Sequence, residues 1–364
     1  MKRYLISAIL CLSCFHLALG QAGFSKNVDS LLYQYISSHD IPSVAVGVVY
    51  RDSVIYAKNI VLGDQVSGLV DEERACIYNI ASVAKPFTSL AAMMLVQEGK
   101  IRLKDPVAHH LPYFQVDSKF SSEITIDQLL IHTSGLPSVS SPDVYEYLNP
   151  DLSENALENH IKSLANLKLE FKPGKKYGYS NVGYEVLGDV IAKASGMAFE
   201  EFMKTRIFQP LKMNKTSYFV SDFNENEIAQ PHQGHPSHRT ANFPYDLRFT
   251  PSGNLFTSIQ DISHWMIFGL NRGRYKRYSP LSDENYTLFC EPGIDAKEDG
   301  FKSLGWFVKE TAAGKICFHD GLDLGFSSLV VLMVEHQIGI AVLANHQEAD
   351  CNEILNLVAK AIRY

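Results

Sequence analysis

Six short apolar runs, two near the start of the chain and four near its end, constrain the fold more than any other feature of the sequence. Residues 43–50 are rich in Val, Ala and Gly, and Arg51-Asp52-Ser53 reads as a tight turn into a second run at 54–59. Residues 304–309, 316–319, 327–335 and 338–344 repeat the pattern, with turns expected at 312–314, 321–325 and 335–337. Runs joined by turns this short pair antiparallel, because parallel neighbours need crossovers of a dozen or more residues. Apolar positions at helical spacing (Val28, Leu31, Leu32, Tyr35, Ile36) predict a helix over 24–39, stopped by Ile41-Pro42, and a closing helix is expected over 348–362. Residues from about 105 to 250 carry Pro and Gly breaks and no strand-rich stretch, so they read as an inserted helical subdomain. The expected fold class is α+β: an antiparallel β-sheet flanked by helices, built from about 24–104 and 251–364.

At 364 residues with 46% hydrophobic and 20% charged content, the chain has material for one large core or a core with a smaller subdomain. The net charge of -7, with no Lys/Arg cluster interleaved with aromatics, argues against nucleic acid as a partner. Lys2 and Arg3, an apolar run over 4–19 and Ala18-Leu19-Gly20 before Gln21 form a secretory processing signal. Residues 1–20 are therefore set apart from a folded domain at 21–364, and the chain is expected to be exported to the periplasm or outside the cell. The run falls short of the ~20 residues a spanning helix needs, so no stable membrane span is expected. Cys11-Leu12-Ser13 before Cys14 is a poor lipid-attachment box. Cleavage after Gly20 leaves Cys76, Cys290, Cys317 and Cys351, which allow three full pairings that the sequence does not choose among. Their wide spacing, without C-x-x-C, supports neither a zinc ribbon nor a dense disulfide scaffold.

Three segments carry chemistry. In Ala81-Ser82-Val83-Ala84-Lys85-Pro86, followed by an apolar run at 90–95, a helix beginning near Ser82 would place its hydroxyl and the Lys85 amine on one face. A serine needs such a base to become a nucleophile. The helix N-terminus disfavours extra positive charge, which would ease deprotonation of Lys85, and its N–H groups can hold an oxyanion. In Tyr177-Gly178-Tyr179-Ser180-Asn181, a Tyr179 phenol made more acidic by a neighbouring ammonium could move the serine proton, and Asn181 could orient a substrate amide. In His319-Asp320-Gly321-Leu322, a strand edge could offer backbone groups to an extended substrate, with Gly321 permitting close approach.

In order and rough separation these segments resemble the penicillin-binding protein and class C beta-lactamase family, which also takes in D-aminopeptidases and esterase-type serine hydrolases. Residues 129–137 (Leu-Leu-Ile-His-Thr-Ser-Gly-Leu-Pro) and 251–258 are similar to that family's supporting segments, and the likeness spans about 25–364. The resemblance implies a sheet flanked by helices, a helical domain beside it and a site between the two. It implies acylation of Ser82, an oxyanion hole from the N–H groups of Ser82 and Leu322, proton work shared by Lys85 and Tyr179, and no cofactor or metal. One departure stands out: His319 occupies the place of the lysine in the family's K-T-G, so a substrate carboxylate should be received weakly and in a pH-dependent way.

The leading expectation is thus an exported serine hydrolase acting on a small peptide, amide or ester, with a D,D-carboxypeptidase or beta-lactamase as the alternative enzyme. The alternative from another class is a non-hydrolytic sensor or binding protein; retention of Ser82, Lys85, Tyr179 and Asn181 together counts against it. His232, His235 and His238 are separated by Gly and Pro and lack a completing acid, so they read as a polar loop, not a metal site. His132 reads as structural, and Asp105 and Asp320 as surface or turn residues, since no Gly-x-Ser-x-Gly elbow accompanies them.

Overall fold

A computed structural model of the chain describes residues 21–62, 77–139, 147–311 and 314–362. Its main sheet comprises β1 (Ser43–Tyr50), β2 (Ser53–Val61), β3 (Ile294–Asp295), β4 (Phe301–Lys302), β5 (Phe307–Thr311), β6 (Gly314–Asp323), β7 (Phe326–Met333) and β8 (Ile338–Ala344). They lie in the order β2-β1-β8-β7-β6-β5-β4-β3, and every pairing is antiparallel. The two chain ends meet where β1 pairs with β8, Val46 opposite Val342. β1, β7 and β8 are buried almost throughout, which is why they read as continuous apolar runs instead of alternating ones.

Five helices carry most of the packing: α1 (Gln21–Ser38), α2 (Lys85–Gln97), α3 (Asn181–Ser195), α4 (Ile259–Leu270) and α5 (Cys351–Ala361). Val44, Val46, Val48, Ile340 and Val342 turn one sheet face toward Val28, Leu32 and Ile36 of α1 and Ile354 and Val358 of α5. Ala45, Val49, Val330 and Leu343 on the other face join α4 through Ile262, Trp265 and Met266, and that core runs on into α2 and α3. Strand alternation thus splits one set of apolar runs into two cores. Among the described residues, 105–250 hold α3 and Ala156–Ser163, with strand content limited to two-residue pieces such as Thr216–Ser217 and His232–Gln233.

Three local expectations change. The run expected at 304–309 becomes a strand only from Phe307, because Ser303 Oγ accepts from the Trp306 N–H (2.8 Å) and closes a turn that sends Trp306 into the core. The break expected at 321–325 shrinks to Leu324-Gly325, with Gly325 at φ 74°. Gly321 lies inside β6, opposite Ser328, since pairing with β7 outweighs the poor strand propensity of Gly and Asp. This extension shapes the site. The β5–β6 register starts at Phe307↔Phe318, so β6 from His319 onward runs past β5 and its edge borders a cleft.

Among the described residues Cys290, Cys317 and Cys351 carry free thiols, and those of Cys290 and Cys317 are in hydrogen-bond contact. Cys76 and the leader at 1–20 lie outside the described residues. No described helix is long and apolar enough to cross a membrane.

Candidate active site

Ser82 sits on a single 3-10 turn, Ala81–Ala84, and α2 starts one step later, at Lys85. The helix begins after Ser82 because Pro86, with its fixed φ and missing N–H, suits a first helical turn. Just ahead of the serine, Ala81 has φ 47°, a left-handed conformation that strains a residue with a Cβ by about 1 kcal/mol. Asn79 Oδ1 holds the turn by accepting the Ala81 N–H at 2.8 Å. Gly321 supports it from beneath: a Cβ there would fall 2.4 Å from the Ile80 carbonyl and 3.1 Å from the Ala81 Cβ. The close approach that Gly321 permits is therefore that of the chain's own serine turn. Gly321→Ala is expected to push the turn off β6 and slow acylation of Ser82 about a hundredfold, the usual cost of a misplacement near 1 Å. Active-site labelling rates check this, and an unchanged rate would show that the turn tolerates the methyl.

Lys85 is fully buried, and its Nζ lies 3.0 Å from Ser82 Oγ and 2.5 Å from the Ser252 carbonyl. Burial pulls its amine down from 10.5 to about 7, against the opposing charges of Glu185, Asp323 and Asp320. Desolvation is the leading cause. The Tyr179 hydroxyl is in hydrogen-bond contact with Ser82, and the Lys85 Nζ stands 5.1 Å from the Tyr179 ring centre. The expected acidification of Tyr179 does not occur: burial pushes its phenol well above 10, and the Ser82 contact offsets this only in part. His132, at φ 57°, backs the tyrosine with ring centres 4.5 Å apart, and its Nδ1 accepts the Ser180 N–H at 3.2 Å. Burial and the charges of Lys302 and Lys85 hold this imidazole neutral, so it serves as a wall.

Asn181, the first residue of α3, and Leu322, 41% exposed on β6, line a cleft of about 490 Å³ together with Ser82 and Tyr179. His319 does not join them. Its imidazole is 1% exposed, packs against Phe307 with ring centres 5.1 Å apart, and donates from Nδ1 to the Asp320 carbonyl at 2.7 Å. Asp320, read from sequence as a turn residue, lines the cleft instead. Asp105 lies elsewhere, accepting from the Arg102 N–H and paired with His110. The loop histidines do not converge: His232 contacts the Gln230 carbonyl, His238 the Pro236 carbonyl, and His235 stacks on His346.

Sequence reasoning missed the second ring of the site. Asp323 is buried, accepts from Tyr147 Oη at 2.9 and 2.8 Å and from Asn79 Nδ2 at 3.2 Å, and burial raises it to about 6. Glu185 binds His160 at 2.8 Å and accepts from Ser252 Oγ at 3.0 Å, which ties α3 to the carbonyl that receives Lys85. No short-range spacing links these residues to the S-x-x-K segment, although Asp323 and Glu185 each lie four residues beyond a quoted site residue, His319 and Asn181.

An antiparallel sheet between helical layers, with a serine, a buried lysine and a tyrosine in contact at the edge of one strand, defines a serine-hydrolase architecture of the beta-lactamase and transpeptidase type. The chain belongs to the beta-lactamase family, whose model matches residues 28–361. It is 30% identical over 325 residues to Protein flp of Staphylococcus aureus (strain COL), covering 88% of this chain and 63% of that protein. It is 27% identical over 293 residues to penicillin-binding protein 4* of Bacillus subtilis (strain 168), covering 75% of this chain and 61% of that one. The chain thus spans less than two thirds of the length of these curated relatives. Among solved structures, the octameric penicillin-binding protein homologue from Pyrococcus abyssi superposes with TM-score 0.75 at 25% identity, over 92% of this chain and 76% of that one. EstCE1, a hydrolase with promiscuous acyltransferase activity, shares the fold with TM-score 0.77 at 20% identity, over 94% of this chain and 99% of that one.

Proposed function

We propose that this chain is an exported serine hydrolase that cleaves a small peptide, amide or ester through an acyl-Ser82 intermediate, without a cofactor. The observation that carries the reading is the 3.0 Å contact between Ser82 Oγ and the amine of a fully buried lysine poised near neutrality. Export rests on the leader pattern at the start of the sequence.

With Lys85 near 7 and Tyr179 well above 10, the lysine is the resting base and the tyrosine rests as the phenol. Donation to the Ser252 carbonyl orients the neutral amine so that its lone pair can take the Ser82 proton as Oγ attacks the acyl carbon. The N–H groups of Ser82 and Leu322 receive the oxyanion, and the proton passes from Lys85, through Tyr179, to the leaving group as its bond to the acyl carbon breaks. Water then attacks the acyl-enzyme by the same steps in reverse order.

The cleft bears on substrate class. Among the described residues its ionisable lining is Tyr179, Asp320 and Asp323, so a substrate carboxylate would face acidic side chains there. Uncharged or cationic acyl groups are favoured, which places beta-lactams and D,D-peptides second. Asp320→Asn is expected to improve kcat/KM for a carboxylate-bearing ester about two- to fivefold relative to its neutral analogue, the range of a partly screened charge pair; an unchanged ratio would remove Asp320 from recognition.

Intact-mass analysis after exposure to a fluorophosphonate, beside a beta-lactam, acyl esters and D-aminoacyl amides, tests the function. One adduct mapped to Ser82, with turnover of a panel class, supports it and names the chemistry. Absence of any adduct across pH 6 to 9 would favour a binding protein instead.

A further inference from the structure

Ser82 stands at the junction of two spaces that differ greatly in size. One is the cleft of about 490 Å³, which Tyr179, Asp320 and Phe307 line. The other is a recess of about 40 Å³, lined among the described residues by Val139, Tyr147, Phe249 and Asn254. Ser82, Asn181, Leu322 and Asp323 border both spaces, whereas Tyr179 borders the cleft and not the recess. A volume of 40 Å³ admits about three water-sized groups.

Tyr147 makes a fixed wall for the recess. It is buried, its hydroxyl donates to both oxygens of Asp323 at 2.9 and 2.8 Å, and it accepts from Asn254 Nδ2 at 3.1 Å. Asp323 also accepts from Asn79, whose Oδ1 holds the Ala81 N–H, so the wall and the serine turn belong to one hydrogen-bonded unit. Swinging the ring aside would strip a buried carboxyl of its partner, a costly step. The ring is further held edge-on against Phe249, with centres 6.4 Å apart. Glu185, which also lines the recess, is engaged by His160 and Ser252. The acidic groups of the recess are thus bonded within the protein, and a small uncharged group fits it.

Acyl transfer has a direction at this serine. As the bond from Ser82 Oγ to the acyl carbon forms and the bond to the leaving atom breaks, the proton reaches that atom through Tyr179, so the leaving group lies on the tyrosine's side, in the cleft. The recess is then left to the acyl substituent. We propose that Ser82 sorts the two halves of its substrate, a short acyl group in the recess and a bulky leaving group in the cleft, and that Tyr147 sets the upper limit on acyl length. Acetyl and propionyl groups fit within about three water-sized groups, and a hexanoyl chain does not. The inference rests on the acyl-Ser82 reading, and its test separates the two.

The test is kcat/KM for 2-naphthyl acetate, propionate and hexanoate, each divided by its spontaneous hydrolysis rate, with phenyl acetate as the small-leaving-group control. For the parent protein the hexanoyl value is expected to fall at least about tenfold below the acetyl value, the cost of methylenes that a pocket refuses, and the two acetates should be turned over alike. Tyr147→Ala opens the recess and should raise the hexanoyl-to-acetyl ratio about tenfold, a change of specificity that a merely weakened fold would not give. Tyr147→Val repeats this arm should the alanine variant fail to fold, and the parent's own acyl series tests the size limit without any variant. A parent that labels with fluorophosphonate at Ser82 yet shows no preference for the short acyl groups would overturn the proposal and leave the acyl-enzyme reading standing. So would a folded Tyr147 variant with the parent's ratio, or a steep fall from phenyl to naphthyl acetate. A parent that neither labels nor turns over any ester would overturn both.

Discussion

Replacing Ser82 with alanine is expected to abolish fluorophosphonate labelling and to lower hydrolysis by about four to six orders of magnitude, the range seen when an acyl-enzyme nucleophile is removed. Ser82 Oγ is the atom on which Lys85 Nζ and the Tyr179 hydroxyl converge, so its loss leaves both proton carriers without a reaction to serve. The fold should not register the change. The strained step of the turn lies at Ala81, which Asn79 and the underlying Gly321 already hold, and the remaining positions are short apolar residues. Far-ultraviolet circular dichroism and the melting temperature should therefore match the parent's. Labelling that persists in Ser82→Ala would place the nucleophile elsewhere and sink the assignment.

The second large effect has two parts with opposite signs. Lys85→Met should slow acylation about a hundred- to ten-thousandfold, the usual worth of a positioned general base, and should erase the limb near pH 7. The same change should stabilise the protein at neutral pH. In the unfolded chain the amine titrates near 10.5, and in the folded protein near 7, so between these values the unfolded state holds a proton that the folded state refuses. Stability contributed at this position is thus full above about pH 10.5, falls as pH drops toward 7, and levels off below. The cost of burial at pH 7 is on the order of a few kcal/mol. Methionine fills similar space without that cost, so Lys85→Met should melt several degrees above the parent at pH 7, with the gap closing toward pH 10. A variant that lost activity and melted lower would show that the lysine mainly holds the packing together. Stability gained at the expense of catalysis is what a site under functional constraint should show.

Much of the architecture was legible because it follows from local rules. Residues 43–50 and 54–59 are joined by a short turn, as are the apolar runs 327–335 and 338–344, and chain connectivity alone then requires antiparallel pairing within each pair. The S-x-x-K and Y-x-N segments were legible because their partners lie within a few residues of one another. His319 and Gly321 were harder to read. A strand edge can be recognised from sequence, but whether a given side chain enters the cleft depends on what packs against it. Phe307 covers the His319 ring, Asp320 takes the cleft-facing place, and the space above Gly321 is filled by the Ile80 carbonyl. Likewise, 304–309 is apolar enough for a strand, yet Ser303 turns its first half into the core.

The sequence by itself determined the antiparallel sheet, the helices at its two ends and the segments that bring a serine, a lysine and a tyrosine to one strand edge, because periodicity and short spacing are properties of neighbours along the chain. Only the tertiary structure decided which of those groups is ready to move a proton. That depends on desolvation, on the charges of Glu185, Asp323 and Asp320 and on the Ser252 carbonyl, residues far from Lys85 in the chain that meet it only once the fold has closed around its amine.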